Sequence, residues 1–168
     1  MRKSKIQSFL DIAKEIAERS PCSRRRFGAI IVQDGDIVST GYNGTAPGTL
    51  NCGIDIPCLK DLAKETSYTS YDNCPAIHAE ENACVGAGRQ KALGGTLYLA
   101  PALGVGDRPC FICRRMIMRA GLEAVVYVGR DGETHIDLVA DYVAMENEWM
   151  MKKLEEISPD MYGCVLEL

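Results

Sequence analysis

The sequence predicts an α/β protein: a central mixed sheet of about five strands with helices on both faces. Two patterns carry that expectation, an opening hairpin signal and, after it, a steady alternation of helical and strand-like segments. Composition agrees. Hydrophobic residues make up 46% and charged residues 25% of the chain, and 168 residues fit a single domain, 1–168, with a hydrophobic core of its own.

Ile6, Phe9, Leu10, Ala13, Ile16 and Ala17 recur at three- and four-residue steps with charges between them, which predicts an amphipathic helix over 3–19 closed by Ser20 and Pro21. The run Phe27-Gly28-Ala29-Ile30-Ile31-Val32, the turn Asp34-Gly35 and a second run over 36–42 predict a hairpin. Residues 43–77 hold several Gly and Pro and no sustained period, and irregular segments of that length tend to be functional. A helix is expected over 78–88 and a strand over 95–100. Pro109 suits the first turn of the next helix, with Asp107 as candidate cap and Gly121 as its close. A fourth strand follows over 123–128, then a turn at Arg130-Asp131-Gly132. Ile136, Val139, Val143, Met150, Leu154 and Ile157 mark a long final helix, and 162–168 read as a fifth strand.

Nineteen basic and twenty-three acidic residues leave a net charge of −4, which argues against a broad electrostatic grip on nucleic acid and favours a small substrate. No apolar run reaches the length of a membrane span. Eight cysteines with no charged-then-apolar leader, two of them in a Cys-x-x-Cys pair, point to metal or redox chemistry in a reducing, cytoplasmic compartment.

The chemistry gathers in two pieces, His78-Ala79-Glu80 and Pro109-Cys110-Phe111-Ile112-Cys113. His78, Cys110 and Cys113 supply three ligands for a catalytic zinc ion and leave a fourth position open to water. Both pieces sit where helices are expected to begin. A helix start presents unpaired N–H groups and partial positive charge, which would draw charge from the two thiolates and keep the metal acidic. Glu80 lies close enough to reach water at the open position while staying off the metal. Each feature alone has a plain reading: a redox pair, a structural histidine, a carboxylate complementing a helix dipole. Their joint occurrence, in this order and with Pro109 before the thiols, favours zinc.

His-Ala-Glu followed by Pro-Cys-x-x-Cys resembles the zinc nucleobase deaminases. Phe27-Gly28-Ala29-Ile30-Ile31-Val32, Gly41-Tyr42-Asn43-Gly44 with Pro47-Gly48, and His78-Ala79-Glu80-Glu81-Asn82-Ala83 are similar to one branch of that superfamily, the deoxycytidylate deaminases, over residues 20–128. The resemblance implies a three-layer α/β/α, cytidine-deaminase-like fold and hydrolysis of dCMP to dUMP and ammonia. It implies that His78, Cys110 and Cys113 hold zinc. Glu80 would take a proton from water, pass it to the ring nitrogen beside the attacked carbon and help ammonia leave.

By the same resemblance Asn43 holds the sugar, Phe27 packs on the pyrimidine, Ala79 joins the substrate contacts, and Arg24 and Arg26 of the basic trio bind a 5′-phosphate. The plainer alternatives are a turn residue, a core aromatic and a solvated loop. Cys22, Cys52, Cys58 and Cys74 look like a structural zinc site found in some members, one that would pin the long loop to the end of the first helix; the alternative is four small buried residues. Members commonly self-associate, so a homo-oligomer is expected. Two stretches depart from the family pattern: residues 100–108 are longer than the usual link, and Gly129-Arg130-Asp131 replaces an expected aromatic. The rival readings are a zinc deaminase for another base, nucleoside or tRNA adenosine, and a non-catalytic zinc module. Glu80 speaks against the second, because a structural site has no use for a base.

Overall fold

The computed structural model describes residues 2–65 and 72–159. Helix α1, Lys5–Ala17, begins where Ser4 Oγ accepts the Gln7 N–H at 3.1 Å, which satisfies one donor of its open end. Its buried stripe is Leu10, Ala13 and Ala17. The hairpin forms as expected from β1, Phe27–Gln33, and β2, Asp36–Tyr42. A short helix α2, Leu59–Leu62, interrupts the segment expected to be irregular. Next come α3, Ala79–Ala92, and β3, Thr96–Pro101. They are followed by α4, Phe111–Ala120, and β4, Ala124–Val128. The described chain closes with β5, Thr134–Leu138, and α5, Val139–Ile157. No described helix is long and apolar enough to cross a membrane.

The five strands of the described residues lie in the order β2-β1-β3-β4-β5. Only β3 and β4 run parallel, because α4 crosses over between them; the other pairs are antiparallel, so the sheet is mixed. Side chains alternate across it. Ile30, Val32, Tyr98 and Val126 meet α1 on one face, while Ala29, Ile31, Leu97 and Val125 meet α3, α4 and α5 on the other. Three layers result. Fully buried Ile31, Leu97, Ile117 and Val125 each contribute about 1.5–3 kcal/mol of apolar burial.

Two glycines let helices rest directly on strand backbone. A Cβ on Gly28 would lie 2.0 Å from the Ala13 carbonyl oxygen of α1, and one on Gly41 would lie 2.3 Å from the Ala79 carbonyl oxygen and 2.5 Å from the Ala83 nitrogen of α3. A third glycine has a different effect. Gly88 takes φ 64° and ψ 162° inside α3 and breaks its helical path.

The fifth strand of the sheet is Thr134–Leu138, which the sequence reading absorbed into the final helix; residues 162–168, read as the fifth strand, lie outside the described residues. The pattern misleads because β5, last in the order of the described strands, turns its polar residues inward. His135 stacks on Tyr127 with ring centroids 5.4 Å apart, and Asp137 accepts the Tyr142 hydroxyl at 2.8 Å, while Ile136 and Leu138 are exposed. Ile136 then falls by coincidence into helical step with Val139 and Val143. Asp107 is likewise not the cap of α4. Cys110 is, and Pro109 precedes it; Asp107 is drawn off to Arg130 and Arg25.

Candidate active site

Two helix starts meet at one end of the sheet. His78 is the residue before α3, with φ −74° and ψ 157°, and Cys110 is the residue before α4, with φ −65° and ψ 164°. Cys110 Sγ accepts the Cys113 N–H at 3.5 Å, so the sulfur caps its own helix. The α3 start is tied to β2 by Asn82 Nδ2, which donates to the Tyr42 carbonyl at 2.8 Å, and by the close approach at Gly41.

His78 Nδ1 lies 3.6 Å from Cys110 Sγ and 3.3 Å from Cys113 Sγ, and the three ligand atoms all lie within 4.8 Å of one another. Tetrahedral zinc with Zn–S near 2.3 Å and Zn–N near 2.0 Å sets nitrogen and sulfur about 3.6 Å apart, so the donor set fits a zinc ion. The hydrogen bond with Cys110 and burial push the Cys113 thiol up, and the Cys110 thiol's hydrogen bond raises the His78 imidazole. Metal binding therefore displaces protons from this group.

Glu80 stands in the first turn of α3 and is only 6% exposed. Burial pushes its carboxyl above the usual range, although the His78 charge and a hydrogen bond from Cys113 pull the other way. A carboxyl raised in this way holds a proton more readily than an exposed one, which suits it to proton transfer. One turn further along, burial pushes the Cys84 thiol up to about 12, which makes it a packing residue.

The remaining expected residues make contacts of their own, and the cavity that Arg24, Arg26 and Phe27 line is not lined by His78, Glu80, Cys110 or Cys113. Phe27 opens β1 and is half-buried, with the Arg25 guanidinium 4.9 Å above its ring. Asn43 Oδ1 accepts the Phe27 N–H at 2.7 Å and Asn43 Nδ2 donates to the Arg25 carbonyl at 2.9 Å, so its amide clasps the entry to β1. Ala79 is fully buried at the first position of α3. Arg24 pairs with Asp61 at 2.8 Å and Arg26 with Glu18 at 2.6 Å. A cavity of about 220 Å³ opens beside them, lined by Arg24, Arg25, Arg26, Phe27, Leu103 and Val105 among others. Cys22, Cys52, Cys58 and Cys74 line a separate cavity of about 30 Å³. The sequence reading singled out Arg24 and Arg26 and missed Arg25, the arginine that covers Phe27. Its signal was the spacing, since residues two apart in extended chain share a face.

The family model of the cytidine and deoxycytidylate deaminase zinc-binding region matches residues 3–129. The chain belongs to that family. This deaminase is 38% identical over 121 residues to the deoxycytidylate deaminase of Mycobacterium phage D29, covering 71% of the chain and 90% of the phage protein. It is 33% identical over 119 residues to the Schizosaccharomyces pombe deoxycytidylate deaminase, of which it spans 35%. A crystal structure of dCMP deaminase from the cyanophage S-TIM5 in complex with dCMP and dUMP superposes with a TM-score of 0.54 at 29% identity, covering 76% of this chain and 83% of that one. The deaminase is thus a hydrolase of this family, with the expected three-layer fold.

Proposed function

We propose that this deaminase hydrolyses dCMP to dUMP and ammonia, with His78, Cys110 and Cys113 holding zinc and Glu80 moving the protons. The observation that carries the reading is a buried carboxyl beside an imidazole and two thiols at zinc-ligand spacing. When bound, a zinc ion held by three protein ligands acidifies water and polarises what it touches. Glu80 accepts a proton from the attacking water and delivers it to the ring nitrogen next to the carbon under attack. A second transfer through the same carboxyl lets the amino group leave as ammonia.

The start of α3 supplies more than a ligand. The Ala79 N–H is one of the donors a helix start leaves unpaired, suited to a ring oxygen. Phe27 forms an apolar wall for the pyrimidine. Asn43 is already oriented by β1, and by valence its amide keeps a second donor and a second lone pair for the sugar. Arg24 and Arg26 meet the 5′-phosphate by exchanging a carboxylate partner for it; the partly exposed Arg26–Glu18 pair is worth only about 0–1 kcal/mol, while Arg24 is also held by the Glu65 carbonyl.

Ammonia release from dCMP, CMP, dCTP, deoxycytidine and cytosine tests the reading. The highest kcat/KM is expected for dCMP, and a preference for deoxycytidine or cytosine would overturn the phosphate assignment.

The four cysteines of the smaller cavity are proposed to hold a second, structural zinc that ties the long loop to the end of α1. Ligand thiols have to stay reduced, which favours a cytoplasmic compartment. Exposed Phe111 and Ile112 on α4, with Trp149 and Met150 on α5, support a homo-oligomer. One preparation checks both: zinc analysis is expected to give two ions per chain, and sedimentation more than one chain per particle. A single ion, or a monomer, removes the corresponding proposal.

A further inference from the structure

The link between β3 and α4 ends in two adjacent residues of opposite charge, Asp107 and Arg108, that take different partners. Asp107 Oδ2 accepts from Arg130 Nη2 at 2.8 Å, Arg130 Nε at 3.0 Å and Arg25 Nη1 at 3.4 Å. Arg25 in turn donates to the Val105 and Gly106 carbonyls at 3.3 and 3.2 Å, and it covers the Phe27 ring. Gly106 is pressed onto the end of β4: its N–H donates to the Gly129 carbonyl at 3.1 Å, and a Cβ there would lie 1.9 Å from the Val128 oxygen.

Arg108 goes the other way. Its Nε donates to Asp137 Oδ2 at 2.6 Å, the same oxygen that accepts the Tyr142 hydroxyl at 2.8 Å. Its guanidinium lies 5.3 Å from the centre of the Tyr142 ring, and Arg114 lies 5.7 Å from the same ring. Tyr142 is 1% exposed and packs in the core with the strands. Residues 108 and 114 bracket the turn that carries Cys110 and Cys113, so both ends of that turn lean on one buried ring.

We propose that Asp107 and Arg108 form a two-way brace. Arg108, through Asp137 and Tyr142, positions the 110–113 turn and with it two of the three metal ligands. Asp107, through Arg25, holds the link as a wall of the cavity beside Phe27. A metal site tolerates errors of only about 0.2 Å in its ligand distances, which a long irregular link cannot hold without such anchors. Charge-assisted hydrogen bonds, about twice as strong as neutral ones, suit that anchoring. Arg108 and Tyr142 are positioning residues. The brace rests on the zinc and dCMP reading given above.

Zinc affinity by chelator competition, the visible spectrum of the cobalt(II)-loaded protein and the dCMP kinetics together test it. Arg108→Gln and Tyr142→Phe are expected to weaken zinc binding about 10–100-fold and to shift the cobalt–thiolate absorption, with Arg108→Lys recovering part of the loss. Asp107→Asn is expected to leave zinc affinity and kcat near wild type while raising KM for dCMP about 10-fold. Glu146→Gln breaks an α4–α5 ion pair, Arg115 to Glu146, away from the link, and is expected to change neither readout. Unchanged affinity and spectrum in Arg108→Gln, or an equal loss in Glu146→Gln, overturns the brace. Should Tyr142→Phe fail to fold, Arg108→Gln still decides. A wild-type protein that binds zinc but leaves dCMP untouched would sink the functional reading and with it the Asp107 arm, whereas the Arg108 arm is decided by the metal readouts.

Discussion

Glu80→Gln is expected to keep zinc and to lose turnover by about 10²–10⁴-fold, the usual worth of a positioned general acid–base group. Gln matches the carboxyl in size and in hydrogen-bonding reach, so α3 and the three ligands stay where they are; only the exchangeable proton is lost. A second consequence follows for the metal-free protein. Burial raises the folded pKa of Glu80 above the ordinary 4.5, so its contribution to stability is complete below that value and is lost as pH rises through the folded value. The Gln variant escapes that loss, and its advantage in urea unfolding is expected to grow as pH rises above 4.5. Turnover of the variant near the wild-type rate would remove Glu80 from the reaction.

Gly41→Ala is expected to cost about 1–3 kcal/mol of stability and to lower zinc affinity and turnover together. The added methyl would meet the Ala79 oxygen at 2.3 Å and the Ala83 nitrogen at 2.5 Å, both backbone atoms of α3 that cannot rotate away. The helix start has to lift off β2, and His78 and Glu80 ride on it. Gly28→Ala makes an equally close clash with α1, at 2.0 Å from the Ala13 oxygen, on the opposite face of the sheet. It is expected to lower the unfolding temperature comparably while sparing zinc affinity. Thermal unfolding and zinc titration of the two variants side by side check this, and equal loss of zinc in both would show that Gly41 has no special tie to the site.

Much of this arrangement was legible in the chain because local rules and tertiary demands agree there. The α1 stripe, the hairpin with its Asp34-Gly35 turn and the two helix starts bearing His78 and Cys110 all satisfy propensity and packing at once. The reading fails where long-range charge overrides local pattern. Asp107 has the spacing of a cap and is taken instead by Arg25 and Arg130, from β1's approach and the β4–β5 turn. β5 hides its inward face because Asp137 and His135 look like solvent residues until their partners Arg108, Tyr142 and Tyr127 are known. Arg25 stands two residues before Phe27 and so shares its face in extended chain, a spacing masked by the like charges on either side of it.

The break at Gly88 divides α3 into parts with separate mechanical allegiances. Residues 79–87 belong with the reaction centre, whereas the outer turn is moored to the far end of α4, where Arg89 donates to the Arg119 carbonyl at 2.8 Å. A rigid rod would carry any twist of its outer end straight to His78; a swivel absorbs it. Labels or substitutions at exposed Gln90 and Lys91 are therefore expected to leave the start of α3 undisturbed, whereas Ala92, fully buried in the core, has no such latitude.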